Sequence, residues 1–248
     1  MAKDLFSNQA AAYARYRPTY PPELYEWLLK RADGRERALD CATGNGQAAA
    51  VLAGPFREVE AIDISQGQLD NAVQLPNIAY HVSRAEETPF PNDHFDLITM
   101  AQAFHWMDST RFCTEMNRVG RTGALVAAWS YKFPTVADER INTLILEFYQ
   151  GVTGPYWEPE RQHVENDYAN LAWDFSEIET ARFTASFRWS RSELLGYFAT
   201  WSATQKYIRM HGESPVRLIE EPLAGLFANE QLVDVHFPIF LKAGRVEK

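Results

Sequence analysis

Residues 37–52 read RALDCATGNGQAAAVL: a short apolar run ending in an acid, a turn with two glycines, and an alanine-rich helix start. Backbone N–H groups at a helix start favour negative charge, and glycine lets the main chain approach a ligand without a Cβ in the way. Read as Gly44-x-Gly46-x-x-Ala49, the turn meets the dinucleotide pattern, with Asp63 the acid that takes both ribose hydroxyls about twenty residues on. Asp40, four residues before Gly44, points elsewhere. Its charge would face a phosphate, and it suits a ligand with a cationic, amino-acid end. A purely structural strand–helix turn is the third account.

A second group of chemically able residues lies in AQAFHWMD, residues 101–108. His105 is a candidate general base there and Trp106 a wall, although a His–Trp pair at a strand end also serves packing. Tyr131, Trp157, Trp201 and Tyr207 are lid-lining aromatics or ordinary cap core. Arg17 either meets a carboxylate or lies in solvent beside Pro18.

The elements that must position these groups alternate regularly at first. Strands are expected at 38–41, 58–62, 78–83, 95–101 and 123–129, and helices at 46–53, 66–74 and 109–119. Short apolar strands separated by helices predict a parallel sheet with helices on both faces. Pro22 suits the first turn of an earlier helix, PELYEWLLKRA. After residue 130 the alternation stops. A helix at 136–150 runs into GVTGPYWEPERQHVEN, which reads as a long lid. A strand at 181–189, helices near 191–203 and 214–228, and a final alternating run follow, with a bulge expected at Pro238.

Composition sets the outer bounds. The 248 residues are 46% apolar and 23% charged, with a formal charge of −9, which argues against a nucleic-acid groove. Residues 138–180 hold ten acids against Arg140 and Arg161, whereas Arg182, Arg188, Arg191, Lys206 and Arg209 oppose only Glu193 over 182–209. That basic stretch would suit a small anionic ligand. Cys41 and Cys113 have no metal-type spacing, no metal site is expected, and no apolar run reaches membrane-spanning length. The opening MAKDLFSNQA has no apolar signal region, so a cytoplasmic protein without a membrane partner is expected.

Leu39-Asp40-Cys41-Ala42-Thr43-Gly44-Asn45-Gly46 matches the LD-x-G-x-G-x-G turn of the class I S-adenosylmethionine-dependent methyltransferases, type 11, except that Ala42 stands for a glycine. The chain resembles that family by motif over about residues 37–130. QAAAYARYRPTYPPELYEWL and LLGYFATWSATQKY resemble the subgroup of trans-aconitate methyltransferase-like proteins. The resemblance implies an α/β, Rossmann-like, doubly wound fold: a mostly parallel seven-stranded sheet, helices on both faces and a helical cap. It implies an N-terminal helical lid (1–36), a cofactor core (37–130), a cap insertion (131–180) and C-terminal elements completing sheet and acceptor pocket (181–248). The implied cofactor is S-adenosylmethionine. Asp40, Ala42, Gly44 and Gly46 would meet its methionine end, Asp63 the ribose, and Ile64, Ala85 and Glu86 the adenine. Gln102 would lie beneath the sulfonium, with Tyr13 and Arg17 covering the cofactor. Trp106, Tyr131, Trp157 and Trp201 are the acceptor-side candidates and His105 the catalytic one. The acceptor is read as a small anionic molecule methylated on a carboxylate oxygen, with one or two of Arg182, Arg188 and Arg191 pointing inward to bind it. The alternatives are a hydroxyl or amine acceptor with His105 as base, a NAD-dependent oxidoreductase, and a non-catalytic adenosylmethionine-binding protein.

Overall fold

The structure is a computed structural model that describes residues 15–228 and 231–248. Its centre is one sheet of eight strands: β1 (Arg37–Cys41), β2 (Glu58–Asp63), β3 (Ile78–Val82), β4 (Phe95–Ala101), β5 (Gly120–Tyr131), β6 (Thr135–Val136), β7 (Ser176–Trp189) and β8 (Val233–Arg245). The order is β3-β2-β1-β4-β5-β8, with β6 following β5 along one edge of β8 and β7 on the other. The first five strands pair in parallel, and every pairing of β8 is antiparallel. The doubly wound, mostly parallel plan is as expected, with the two-residue β6 added to the seven strands.

The central strands form because both of their faces are buried. In β1 and β4 every residue but the end ones, Arg37 and Ala101, is inaccessible, the pattern of a covered parallel sheet. Alternation divides them between two cores. Ala38, Ala61, Ala127 and Trp129 face one cluster, while Leu39, Ile62, Val126 and Ala128 face the other. The order reverses between β1 and β4, so the connections leaving their carboxyl ends run to opposite sides and leave a crevice there, where ligands bind in such sheets.

Helix α1 (Pro22–Arg31) starts on Pro22 as the sequence predicts, and α2 (Gln47–Leu52) leaves the glycine turn. Helix α3 is only Gln66–Leu69, shorter than the expected 66–74. Helix α4 (Ser109–Val119) is capped by Asp108, and α5 (Glu139–Glu147) by Asp138. The chain then widens into a π-type turn, Phe148–Val152. The segment read as a lid contains α6 (Arg161–Glu165). Helix α7 (Arg191–Ala199) opens on a capping box of Ser190 and Glu193, followed by α8 (Ser202–His211) and α9 (Arg217–Leu226). Buried residues of α5, α7 and α9, among them Ile145, Phe198 and Leu223, join the same apolar cluster as Trp129. The cap is therefore an extension of one sheet face. Among the described residues no helix is long and apolar enough to cross a membrane.

The expected bulge at Pro238 does not form. Residues 233–243 of β8 pair with β7 in unbroken register, and the irregularity falls at Ser176–Glu179 instead. On the other edge, β5 stops opposite Ile239 and β6 begins opposite His236. Pro238 sits in that gap, where its carbonyl accepts the Lys132 N–H at 2.8 Å. A strand residue points its nitrogen and carbonyl to the same edge, so the missing donor falls where the ladder needs none.

Candidate functional site

The turn after β1 is held in the left-handed region at three places: Ala42 (φ 51°), Gly44 (φ 56°) and Gly46 (φ 79°). At Gly46 a Cβ would overlap the Tyr80 hydroxyl, so any other residue would have to displace that side chain as well as adopt a strained φ. Ala42 carries the strain that a glycine would avoid. The turn is tied down by Thr43 N–H to the Ile62 carbonyl (2.9 Å) and Gly46 N–H to the Thr43 carbonyl (3.0 Å).

Asp40 is buried at the end of β1. Its two oxygens accept from Thr43 Oγ1 (2.6 Å) and Thr99 Oγ1 (2.8 Å). Burial pushes its carboxyl up to about 6, and the two threonine hydroxyls hold it from rising further. Asp63, at the end of β2, accepts Gly44 N–H and Ser65 N–H, each at 2.9 Å. One acid thus fixes the glycine turn to the next strand. Ile64 beside it is a large apolar side chain left 38% exposed, free to receive a flat ligand face. Past β3, Ala85 and Glu86 are buried, and Glu86 accepts the Asp108 N–H at 3.3 Å.

Two cavities open at these strand ends. The inner one, about 510 Å³, is lined by Asp40, Ala42, Gly44, Tyr20 and Tyr131; the outer one, about 630 Å³, by His105, Trp106, Tyr149, Trp157, Arg161 and Trp201. Arg17 and Gln102 stand in the walls of both. Arg17 donates to the Tyr131 hydroxyl (2.6 Å) and the Thr200 carbonyl (2.9 Å), joining the N-terminal segment to the cap. Tyr131, expected on the acceptor side, faces the inner cavity instead, because alternation along β5 puts it on the same side as Trp129. Tyr13 lies outside the described residues.

His105 sits in a 3₁₀ turn, Phe104–Trp106, 9% exposed. Burial lowers its imidazole to about 3, helped by the charges of Arg161 and His163. It is neutral throughout the physiological range and a weak base. Buried polar atoms of the outer cavity's lining residues with no partner among the described residues include Gln102 Nε2, His105 Nδ1 and Trp157 Nε1. Gln102 Nε2 and Trp157 Nε1 are donors only, so what they lack is an acceptor.

Arg182, Arg188 and Arg191 do not reach the site. All three are exposed; Arg182 pairs with Asp167 at 2.5 Å and Arg188 with Asp234 at 3.8 Å. Arg182 and Arg188 lie an even number of residues apart on β7 and share its outer face. The inward cations are Arg17 and Arg161. In the sequence Arg161 is one of two cations in an acidic stretch, yet its guanidinium lies 4.8 Å from the Trp157 ring centre and donates to the Tyr149 hydroxyl at 3.1 Å. Burial works against its charge, while Tyr149 and Glu165 sustain it. Tyr149 is aimed inward by the π-type turn, a feature that sequence periodicity does not register.

A family model described as a methyltransferase domain matches residues 39–128. A Dictyostelium discoideum protein assigned as a methyltransferase is 31% identical over 251 residues, covering 98% of this chain and 95% of that protein. The structure of an Anaeromyxobacter dehalogenans protein assigned as a type II methyltransferase superposes with a TM-score of 0.84 at 38% identity, covering 93% of this chain and 98% of that one. Haemonchus contortus phosphoethanolamine N-methyltransferase 2, solved with S-adenosyl-L-methionine, shares the fold at a TM-score of 0.52 and 18% identity, over 97% of this chain and 57% of that one. The inner cavity fits such a cofactor: Gly44, in the left-handed region, lines it and lets a ligand approach the main chain, and the buried carboxyl of Asp40 beside it would suit a cationic end. The chain belongs to the S-adenosylmethionine-dependent methyltransferases.

Proposed function

We propose that the protein methylates a carboxylate oxygen of a small anionic molecule seated in the outer cavity. S-adenosylmethionine supplies an electrophilic methyl carbon, and the chain's own residues do the rest. Asp40 and the turn at Ala42–Gly46 would hold the methionine end. Asp63 would take the ribose, and Ile64, Ala85 and Glu86 would take the adenine. Arg17, bridging Tyr131 and the cap, closes the inner cavity, and Trp106, Trp157 and Trp201 exclude water from the outer one.

The observation that carries the acceptor's chemistry is Arg161, a guanidinium held among aromatic rings in the outer cavity. A planar fork of this kind binds one carboxylate strongly and directionally. The low basicity of His105 supports the same reading, since an ionised carboxylate needs no proton removed whereas a hydroxyl or ammonium does. The resemblance to the trans-aconitate methyltransferase-like subgroup agrees.

A methyl-release screen comparing carboxylic acids with alcohols and amines of the same skeleton tests this. Turnover should be confined to the acids, and Arg161→Gln should raise KM for them about tenfold to a hundredfold with little change in cofactor affinity. Turnover of the amines or alcohols alone would refute the carboxylate assignment.

A further inference from the structure

Gln102 holds an unusual place. It lines both cavities, and its backbone is in the left-handed region (φ 58°), which a non-glycine residue keeps only when its surroundings enforce it. Two bonds do so. Its N–H donates to the Trp129 carbonyl at 2.9 Å, and its Oε1 accepts from Ser130 Oγ at 2.7 Å. Ser130 is fully buried, and the buried Tyr168 phenol lies against it. The amide oxygen is thereby occupied, and Nε2 is left buried with no partner among the described residues.

A buried donor without a protein partner is completed by a ligand or by ordered water, and this one stands where the two cavities meet. We propose that Gln102 selects and aligns the acceptor: its Nε2 donates to the carboxylate oxygen that is not methylated, with Ser130 as the positioning residue that holds the amide in that sense. This rests on the carboxylate reading above. The attacking oxygen forms the new O–C bond as the S–C bond breaks and its electron pair goes to sulfur. A carboxylate and a sulfonium become an ester and a thioether, and no proton moves. The second oxygen becomes the ester carbonyl and accepts the Nε2 hydrogen throughout, so the contact aligns the acceptor without taking electrons from the attacking atom. An ammonium would turn N–H toward N–H there and be rejected.

The test uses the full chain saturated with S-adenosylhomocysteine and titrated with benzoate, phenylacetate and succinate. The readout is tryptophan fluorescence, since Trp106, Trp157 and Trp201 line the outer cavity. Gln102→Met, similar in length and without a donor, should weaken carboxylate binding about tenfold, and Gln102→Glu by up to about a hundredfold. Ser130→Ala should weaken it severalfold and leave the S-adenosylhomocysteine affinity in place. Unchanged carboxylate affinity in Gln102→Met would overturn the proposal and leave the carboxylate reading standing. A parallel loss of S-adenosylhomocysteine affinity would also overturn it, assigning the amide to the cofactor. Failure of the wild-type protein to bind any of the three acids would overturn both.

Discussion

Replacing Asp40 by Asn should stabilise the ligand-free protein while crippling cofactor binding. The carboxyl is buried, and its pKa rises from 3.8 to about 6 chiefly because the charged form is desolvated. The folded state therefore binds this proton more tightly than the unfolded chain. Its contribution is harmless below pH 3.8, turns destabilising as pH climbs toward 6, and stays so above. The rise corresponds to about 3 kcal/mol at pH 7.5. Asn keeps the shape, and one of the Thr43 and Thr99 hydroxyls can rotate to accept from the new amide. Urea unfolding at pH 7.5 should show Asp40→Asn more stable by about 1–3 kcal/mol, with the gain shrinking to about 0.5 kcal/mol or less near pH 4. Calorimetry should show S-adenosylmethionine affinity lower by about tenfold to a hundredfold, because the proposed cationic partner loses its counter-charge. The opposite signs are those of a site that gives up stability for function. A variant less stable than wild type at pH 7.5, or one with the same gain at pH 4, would refute the argument that desolvation dominates at this acid.

Gly46→Ala should cost about 2–3 kcal/mol, from the left-handed backbone and the displaced Tyr80 hydroxyl, which donates to the Val73 carbonyl at 2.6 Å. In the Gly46→Ala/Tyr80→Phe double variant only the backbone part should remain relative to Tyr80→Phe, which thermal unfolding checks. At saturating S-adenosylmethionine the pH–rate profile on a carboxylate acceptor should keep its shape in His105→Gln, which should lower kcat less than about tenfold; a basic limb near pH 6–7 that vanishes in the variant would contradict the lowered imidazole pKa.

The regular part of the chain was legible because its signals are local. The apolar runs of β1 and β4, the glycines at 44 and 46, and Asp63 at the end of β2 each declare their place within a few residues. The turn's chemistry was partly open for the same reason. Gly44-x-Gly46 alone suits a dinucleotide, and only Asp40 and the family resemblance favoured a cofactor with an amino-acid end. The shortened α3 and the unbulged Pro238 show the limit of local rules: a strand proline is tolerated when the neighbouring edge happens to be vacant, which a single segment cannot disclose.

What the sequence alone determined was the strand–glycine–helix core with its acids, since each of those features is a backbone requirement met by a particular residue type in a particular order. What only the tertiary structure decided was the acceptor side. Arg182, Arg188 and Arg191 form the basic stretch in the sequence, yet the pleat of β7 and its pairing with β8 send Arg182 and Arg188 outward, and Arg191 is exposed at the start of α7. Arg161, inside an acidic stretch, is the one carried in against Trp157 and Tyr149. The meeting of Arg17, Gln102 and Ser130 joins the N-terminal segment, the end of β4 and the end of β5. Charge and aromatic content are properties of composition, but the direction in which a side chain points is set by register and by what packs behind it.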